Sequence, residues 1–359
     1  MLNKSLKLLI LSTPVGALGS GLGGGVELTL YNLVQEMQQR GHKLTVVAPE
    51  GSKLDNNPVV EILGNYQITA QTQSLDNPII MPMNSVLGNM WEYARQNQHE
   101  YDLIFNIAYD WLPFYLTPFF EKAIAHFISM GSLMAATDEM MGKIAAKYPG
   151  TIGVYTQSQA DTFPFAQYCH CLGSGIDLSL YEFSATADTA LAWLGRIAPE
   201  KGLEDAVAAV EKTGIKLKIM GKVQDEAYWQ QIQANYPNAP IEYLGFLSTS
   251  EMQKQVRNCQ ALIMTPRWIE AFGNVAIEAL ACGVPVISYH RGGPAEIVQD
   301  GKTGYLVTPD SVEGLVAAIE SIDEIDRYAC RQQAESEYSL TAWGDRMEQW
   351  FYRILANLD

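Results

Sequence analysis

The chain has 359 residues, with 24 Lys plus Arg against 40 Asp plus Glu and a formal net charge of −16. A surface this anionic repels phosphodiesters and acidic headgroups, which excludes nucleic acid as a partner and argues against stable membrane association. Its 48% apolar and 18% charged residues are too hydrophobic for disorder, no apolar run reaches the roughly 20 residues of a membrane span, and the length suits two soluble domains.

Lys4, Lys7 and the run Leu8 to Leu11 imitate a leader, but Ser12-Thr13-Pro14 ends the apolar stretch short of the roughly 7 residues of an h-region, so the segment reads as a first strand. From there β-rich apolar runs alternate with helical patterns: Leu6 to Ser12, Val26 to Arg40 (helical), Lys43 to Ala48, Asp102 to Ile107, Ala123 to Met130 and Thr151 to Thr156. The alternation restarts after Gly173, with strand-like runs at Leu191 to Leu194, Lys216 to Met220, Ile241 to Leu244, Ala261 to Thr265, Pro285 to Ser288 and Tyr305 to Val307. Such order predicts an α/β protein of two doubly wound parallel-sheet domains.

The small polar stretch Ser184 to Thr189 reads as a connection, and a ligand is expected in the cleft between domains. Near the end, Trp343, Met347, Trp350, Phe351, Ile354, Leu355 and Leu358 share one helical stripe, which must dock on protein. Asp345, Arg346, Glu348 and Arg353 are expected on the opposite, solvated face. Cys169, Cys171, Cys259, Cys282 and Cys330 are odd in number without CxxC spacing, as in a cytoplasmic protein with free thiols. Along a strand, Cys169-His170-Cys171 sends its sulfurs to one face and its imidazole to the other; it reads as core, and no metal site is expected.

Gly19, Gly21 and Gly24 formally satisfy G-x-G-x-x-G, but too far beyond the first strand for a dinucleotide fingerprint. Gly23-Gly24-Gly25, just before the helix from Val26, is better placed to let backbone approach an anion at a helix N-terminus. Gly195-Arg196-Ile197-Ala198-Pro199-Glu200-Lys201-Gly202 places two cations five residues apart after a strand, a fork and a point charge suited to a diphosphate. In Glu270 to Pro285, the helix from Asn274 to Cys282 is almost wholly apolar apart from Glu278, so Glu278 is expected to be buried and in need of donors such as sugar hydroxyls. Gly273, Asn274 and Val275 would offer N–H groups to a phosphate.

Gly-Arg-x-x-x-Glu-Lys-Gly, Glu270-x7-Glu278, Arg291-Gly292-Gly293-Pro294-Ala295-Glu296-Ile297-Val298 and Asp300-Gly301-x-x-Gly304 together resemble the retaining GT-B glycosyltransferases of family 4. The resemblance implies two Rossmann-like domains facing across a cleft, residues 1–172 on the acceptor side and 173–338 for the nucleotide sugar, with a C-terminal helix (339–359) crossing back to the first. It implies that Arg196 and Lys201 hold the donor diphosphate, with Gly24, Gly25, Gly195 and the amides of Gly273 to Val275 nearby. Glu270 would contact the donor sugar and Glu278 the ribose. It further implies retention of α configuration by front-face attack.

One position departs from the pattern. Members often carry a His at the end of the strand matching Ala125 to Met130, where Met130-Gly131 stands here; His126 lies four residues back, roughly 13 Å away at ~3.3 Å per residue. No Asp-x-Asp occurs in the chain, so cations and helix N-termini must neutralise the leaving group and no metal or other cofactor is expected. The acceptor is expected near the aromatic cluster holding Tyr109, Asp110 and Trp111, with Met130 beside it. Most of that cluster is expected to be core. The acidic chain is similar overall to the cyanobacterial pteridine glucosyltransferases, implying UDP-glucose as donor and a pterin such as tetrahydrobiopterin as acceptor. A sugar-nucleotide epimerase, or a sugar-nucleotide-binding protein without catalysis, are the alternatives.

Overall fold

The computed structural model describes residues 5–20, 24–54 and 57–357; Lys4, Gly21, Gly23 and Leu358 lie outside them. The chain divides into Met1–Gly175 with Trp343–Asp359, and Ile176–Ala342. The second unit begins at Ile176 because its N–H donates to Tyr338 O at 2.9 Å and it bridges Ser339, tying the entering strand of chain to the one about to leave.

The first unit holds β1 (Lys7–Leu11), β2 (Lys43–Pro49), β3 (Val59–Ile62), β4 (Leu103–Asn106), β5 (Ile124–Phe127), β6 (Ile152–Val154) and β7 (Cys169–Cys171) in the parallel order β3-β2-β1-β4-β5-β6-β7. β4, β5 and β6 are buried along their whole length, as in parallel sheets covered by helices on both faces. The short, half-exposed edge strand β3 is not among the runs expected from the sequence. β5 stops at Phe127 instead of running to Met130 because the Gln159 amide donates to Ile128 O and Met130 O, both at 2.8 Å, in place of a sheet partner. Cys169-His170-Cys171 is not core. It forms the edge strand, with Cys169 half-buried and Cys171 exposed.

The helix Leu340–Ala356 buries Trp343, Met347, Trp350, Phe351 and Ile354, and its part from Trp343 onward packs in the first unit. Polar anchors fix it there: Trp350 Nε1 donates to Gly150 O at 2.7 Å and Arg346 Nε to Leu172 O at 2.8 Å. The expected solvated face is only partly solvated, because Glu348 is buried against His42 at 2.9 Å and Arg40 at 3.2 Å. Among the described residues no helix is long and apolar enough to cross a membrane.

The second unit holds β8 (Ala190–Leu194), β9 (Lys216–Met220), β10 (Ile241–Gly245), β11 (Ala261–Met264), β12 (Val286–Tyr289) and β13 (Gly304–Val307) in the parallel order β10-β9-β8-β11-β12-β13. Strand order reverses between β8 and β11, and open α/β sheets bind ligands just beyond the C-terminal strand ends at such a reversal. The loops after these two strands carry Arg196, Lys201 and Glu270.

Candidate active site

Glycines with no room for a side chain bring the two loops of the second unit together. Gly202, at φ +63, begins the helix Leu203–Thr213, and a Cβ there would lie 2.1 Å from Thr265 O. Thr265 Oγ1 donates to Gly202 O at 2.8 Å and Arg267 N to Glu200 O at 2.9 Å. Lys201 is thereby carried to Glu270, with which it forms an ion pair. Trp268 completes the group: its Nε1 donates to Glu270 Oε2 at 3.0 Å, and the Lys201 ammonium sits 5.1 Å from its ring centroid, a favourable cation–π position.

The Glu270 loop is shaped from behind by the Arg291-Gly292-Gly293-Pro294 turn. A Cβ on Gly292 would meet Glu270 N at 2.6 Å, one on Gly293 would meet Phe272 O at 2.4 Å, and Gly293 N donates to Glu270 O at 2.7 Å. Arg291 donates to Pro266 O at 2.9 Å while paired with Asp310 at 2.7 Å. Arg267 reaches Glu204 at 2.8 Å and Asp205 at 3.0 Å, and the buried Tyr289 hydroxyl donates to Asp205 at 2.8 Å. Sequence reasoning assigned no role to Trp268, Arg267, Tyr289, Asp205 or Asp310. Trp268, an aromatic two residues from an acidic motif residue, was the one legible signal.

Arg196 is turned away from this group. Its guanidinium bonds Gln224 and pairs with Glu200 at 3.1 Å, so the two expected diphosphate ligands have separate partners. Gly195 closes β8 with its N–H donating to Met220 O at 3.1 Å. Gly273, at φ +98, begins the helix Asn274–Ala281. Asn274 and Val275 lie in its first turn, whose N–H groups have no intrahelical acceptor, and Asn274 Oδ1 is buried without a partner.

On that helix, Glu278 accepts from the Tyr181 hydroxyl at 2.9 Å. Burial pushes the Glu278 carboxyl up to about 7, against the opposing effect of that hydrogen bond. In the unfolded chain it ionises near 4.5, so between pH 4.5 and 7 the native state holds the proton that the unfolded state has lost, and stability falls as pH rises across that window. Glu278→Gln is therefore expected to be more stable than the parent at pH 8 by about 1 to 3 kcal/mol and nearly equal at pH 4.5. Urea titrations at both pH values check this; a pH-independent difference would rule it out.

In the first unit, Gly24 stands at φ 56, ψ −136 immediately before the helix Gly25–Gln39, a conformation open essentially to glycine alone. Gly19 N donates to Glu27 of that helix at 2.9 Å. His126 is core: Asn106 donates to its Nδ1 at 3.2 Å, its Nε2 lies 3.0 Å from the Thr117 hydroxyl, and it stacks on Phe114. Desolvation lowers it to about 3, so it is neutral. Met130 is half-buried, packed against the cluster of Phe114, Ile128 and Phe163.

The aromatic stretch is split. Tyr109 is buried, its hydroxyl donating to Asp138 at 2.8 Å and accepting from Leu133 N and Met134 N at 2.9 and 3.0 Å, so it is committed to the loop before the helix Ala135–Lys147. Phe114 is buried, whereas Tyr115 and Phe119 are exposed and Trp111 stacks on Tyr115 at 4.5 Å. Asp110 caps the helix Trp111–Leu116 by accepting from Leu112 N at 3.3 Å.

Residues 184–337 match the glycosyl transferases group 1 family. The chain is 31% identical over 179 residues to a glycogen synthase of Mycobacterium tuberculosis, covering 47% of this chain and 43% of that protein, and it spans less than half the length of the curated relatives it matches. Among solved structures, HepE from Anabaena with bound UDP and glucose superposes with a TM-score of 0.74 at 18% identity, over 97% of this chain and 100% of that one. A sucrose-phosphate synthase from Thermosynechococcus elongatus superposes with a TM-score of 0.75 at 16% identity, over 98% and 100%. Two Rossmann-like parallel-sheet units of the GT-B class thus make up the fold, and the stretch that carries Arg196, Lys201, Glu270 and Glu278 is the one that matches the glycosyl transferases group 1 family.

Proposed function

We propose that the chain transfers glucose from UDP-glucose to a small hydroxylated acceptor, a pterin such as tetrahydrobiopterin, giving an α-glucoside. The observation that carries the reading is the Lys201–Glu270–Trp268 group at the strand reversal of a group 1 glycosyltransferase domain; the UDP-glucose complex of the structurally similar HepE supports the choice of donor. Lys201 and Arg196, released from Glu270 and Glu200, neutralise the leaving diphosphate together with the N–H groups of Gly273 to Val275. Glu270 then accepts from donor-sugar hydroxyls, and Glu278 from the ribose, in competition with Tyr181. The acceptor oxygen bonds to the anomeric carbon as the bond from that carbon to the phosphate oxygen breaks, and the acceptor proton passes to a donor phosphate oxygen. Configuration is retained without a protein nucleophile.

Catalysis needs no metal in this scheme, because the charges are neutralised by side chains and amides. Purified protein given UDP-glucose is expected to glucosylate pterins in excess EDTA, with an α-linked product by NMR. A β-linked product would overturn retention, strict dependence on added Mn²⁺ or Mg²⁺ would overturn metal independence, and a tenfold preference for a sugar or sugar phosphate would overturn the acceptor. Met130 at the position of the family His favours a second reading, a non-catalytic sugar-nucleotide binder; tight UDP-glucose binding without turnover on any acceptor would select it.

A further inference from the structure

Between β3 and the helix Val86–Asn97 the first unit has a connection with only one short helical turn, Ala70–Thr72. Connections beyond about 12 to 15 residues without structure of their own are commonly binding loops. In a chain of net charge −16, the stretch Leu63 to Met83 carries a single charged residue, Asp76. It also exposes large apolar side chains, Ile80 at 60% and Met83 at 87%.

Within this strap Gln67 is turned inward, 8% exposed. Its Nε2 donates to Asp110 Oδ2 at 3.0 Å and lies 3.2 Å from Met81 Sδ. Its Oε1 is buried with no partner. Turning the amide over would not help, since the oxygen would then face the Asp110 carboxylate. Asp110 accepts from Gln67, Leu112 N and Trp111 N, which leaves acceptor capacity on a carboxylate able to take about four hydrogen bonds. Desolvation holds its carboxyl above the usual range against the opposing effect of those bonds. Next in the chain, Trp111 stacks on Tyr115, and Tyr115 is tilted against Phe119, an aromatic row whose Tyr115 and Phe119 are exposed to solvent.

A buried acceptor without a donor and a half-buried carboxylate with acceptor capacity to spare, beside a strap with one charged residue and an aromatic row, match a flat molecule that is apolar on its faces and rich in N–H on one edge. We propose that Gln67 Oε1 and the Asp110 carboxylate together bind a planar heteroaromatic ligand through two adjacent N–H donors, Met81 swinging aside to admit it. Methionine suits that position, its unbranched side chain readily repacking. The inference rests on the reading that the first unit binds the acceptor; it adds the residues that select it and the feature they select.

The test is calorimetric titration of the full chain, saturated with UDP, with pterin and with pteridin-4-one, which lacks the 2-amino group. Pterin is expected to bind at least tenfold more tightly than pteridin-4-one. Gln67→Met should abolish that preference while leaving UDP affinity within twofold, and Gln67→Glu combined with Asp110→Asn should restore it by exchanging carboxylate and amide. A purely structural role would shift the melting temperature without moving the pterin to pteridin-4-one ratio. An unchanged ratio in Gln67→Met, or no pterin binding by a chain that binds UDP, would overturn the inference. Failure of UDP to bind would instead defeat the donor assignment, and pterin would then be titrated alone, with the same two criteria.

Discussion

Replacing Lys201 by alanine is expected to lower kcat/KM by roughly 10²-fold or more, about 3 kcal/mol of transition-state stabilisation, with a similar loss for Arg196→Ala. Lys201 is half-buried between Glu270 and Trp268, so its charge acts where solvent screens it less than at an exposed site. Its removal also leaves Glu270 with the Trp268 N–H as its remaining side-chain donor. Lys201→Arg separates charge from shape, because a planar fork cannot take the place of an ammonium over the indole without moving it; partial activity is expected there. Steady-state kinetics with UDP-glucose, alongside UDP affinity measured directly, distinguish lost binding from lost turnover. Near-normal turnover in both alanine variants would remove these cations from the proposed site.

The second large effect is expected at Gly293, whose φ is ordinary but whose position is not. An added Cβ would meet Phe272 O at 2.4 Å and Phe272 Cα at 2.5 Å, both backbone atoms that cannot rotate away. Gly293→Ala must therefore push the Glu270 to Phe272 loop off the turn and weaken the 2.7 Å bond from Gly293 N to Glu270 O. We expect a loss of about 2 to 4 kcal/mol of stability and of most transferase activity. Gly214→Ala is the control: Gly214 stands at φ +72 with nothing within 4 Å of an added Cβ, so it should cost only the conformational term, about 1 kcal/mol. Urea denaturation of the two variants decides the matter; equal losses would show that the turn does not brace the loop.

The two-sheet α/β fold was legible in the residues alone because each buried strand is a short apolar run and each covering helix an amphipathic pattern, signals carried by neighbouring residues. The four-residue edge strand β3 was not among the runs read, and β5 was read too long because only a distant side chain, Gln159, shows where its ladder ends. The apolar surroundings of Glu278 could be read for the same local reason, from an otherwise apolar helix, although the residue is half-buried and not fully buried as expected. Its partner could not, since Tyr181 lies 97 residues away in sequence. The meeting of Lys201 with Glu270, the bracing by Gly293, and the pairing of Gln67 with Asp110 all depend on loops whose ends are set by different strands. Sequence periodicity specifies which face of an element is buried, but which loops meet beyond the strand ends follows from strand order, and that is decided only when the sheets assemble.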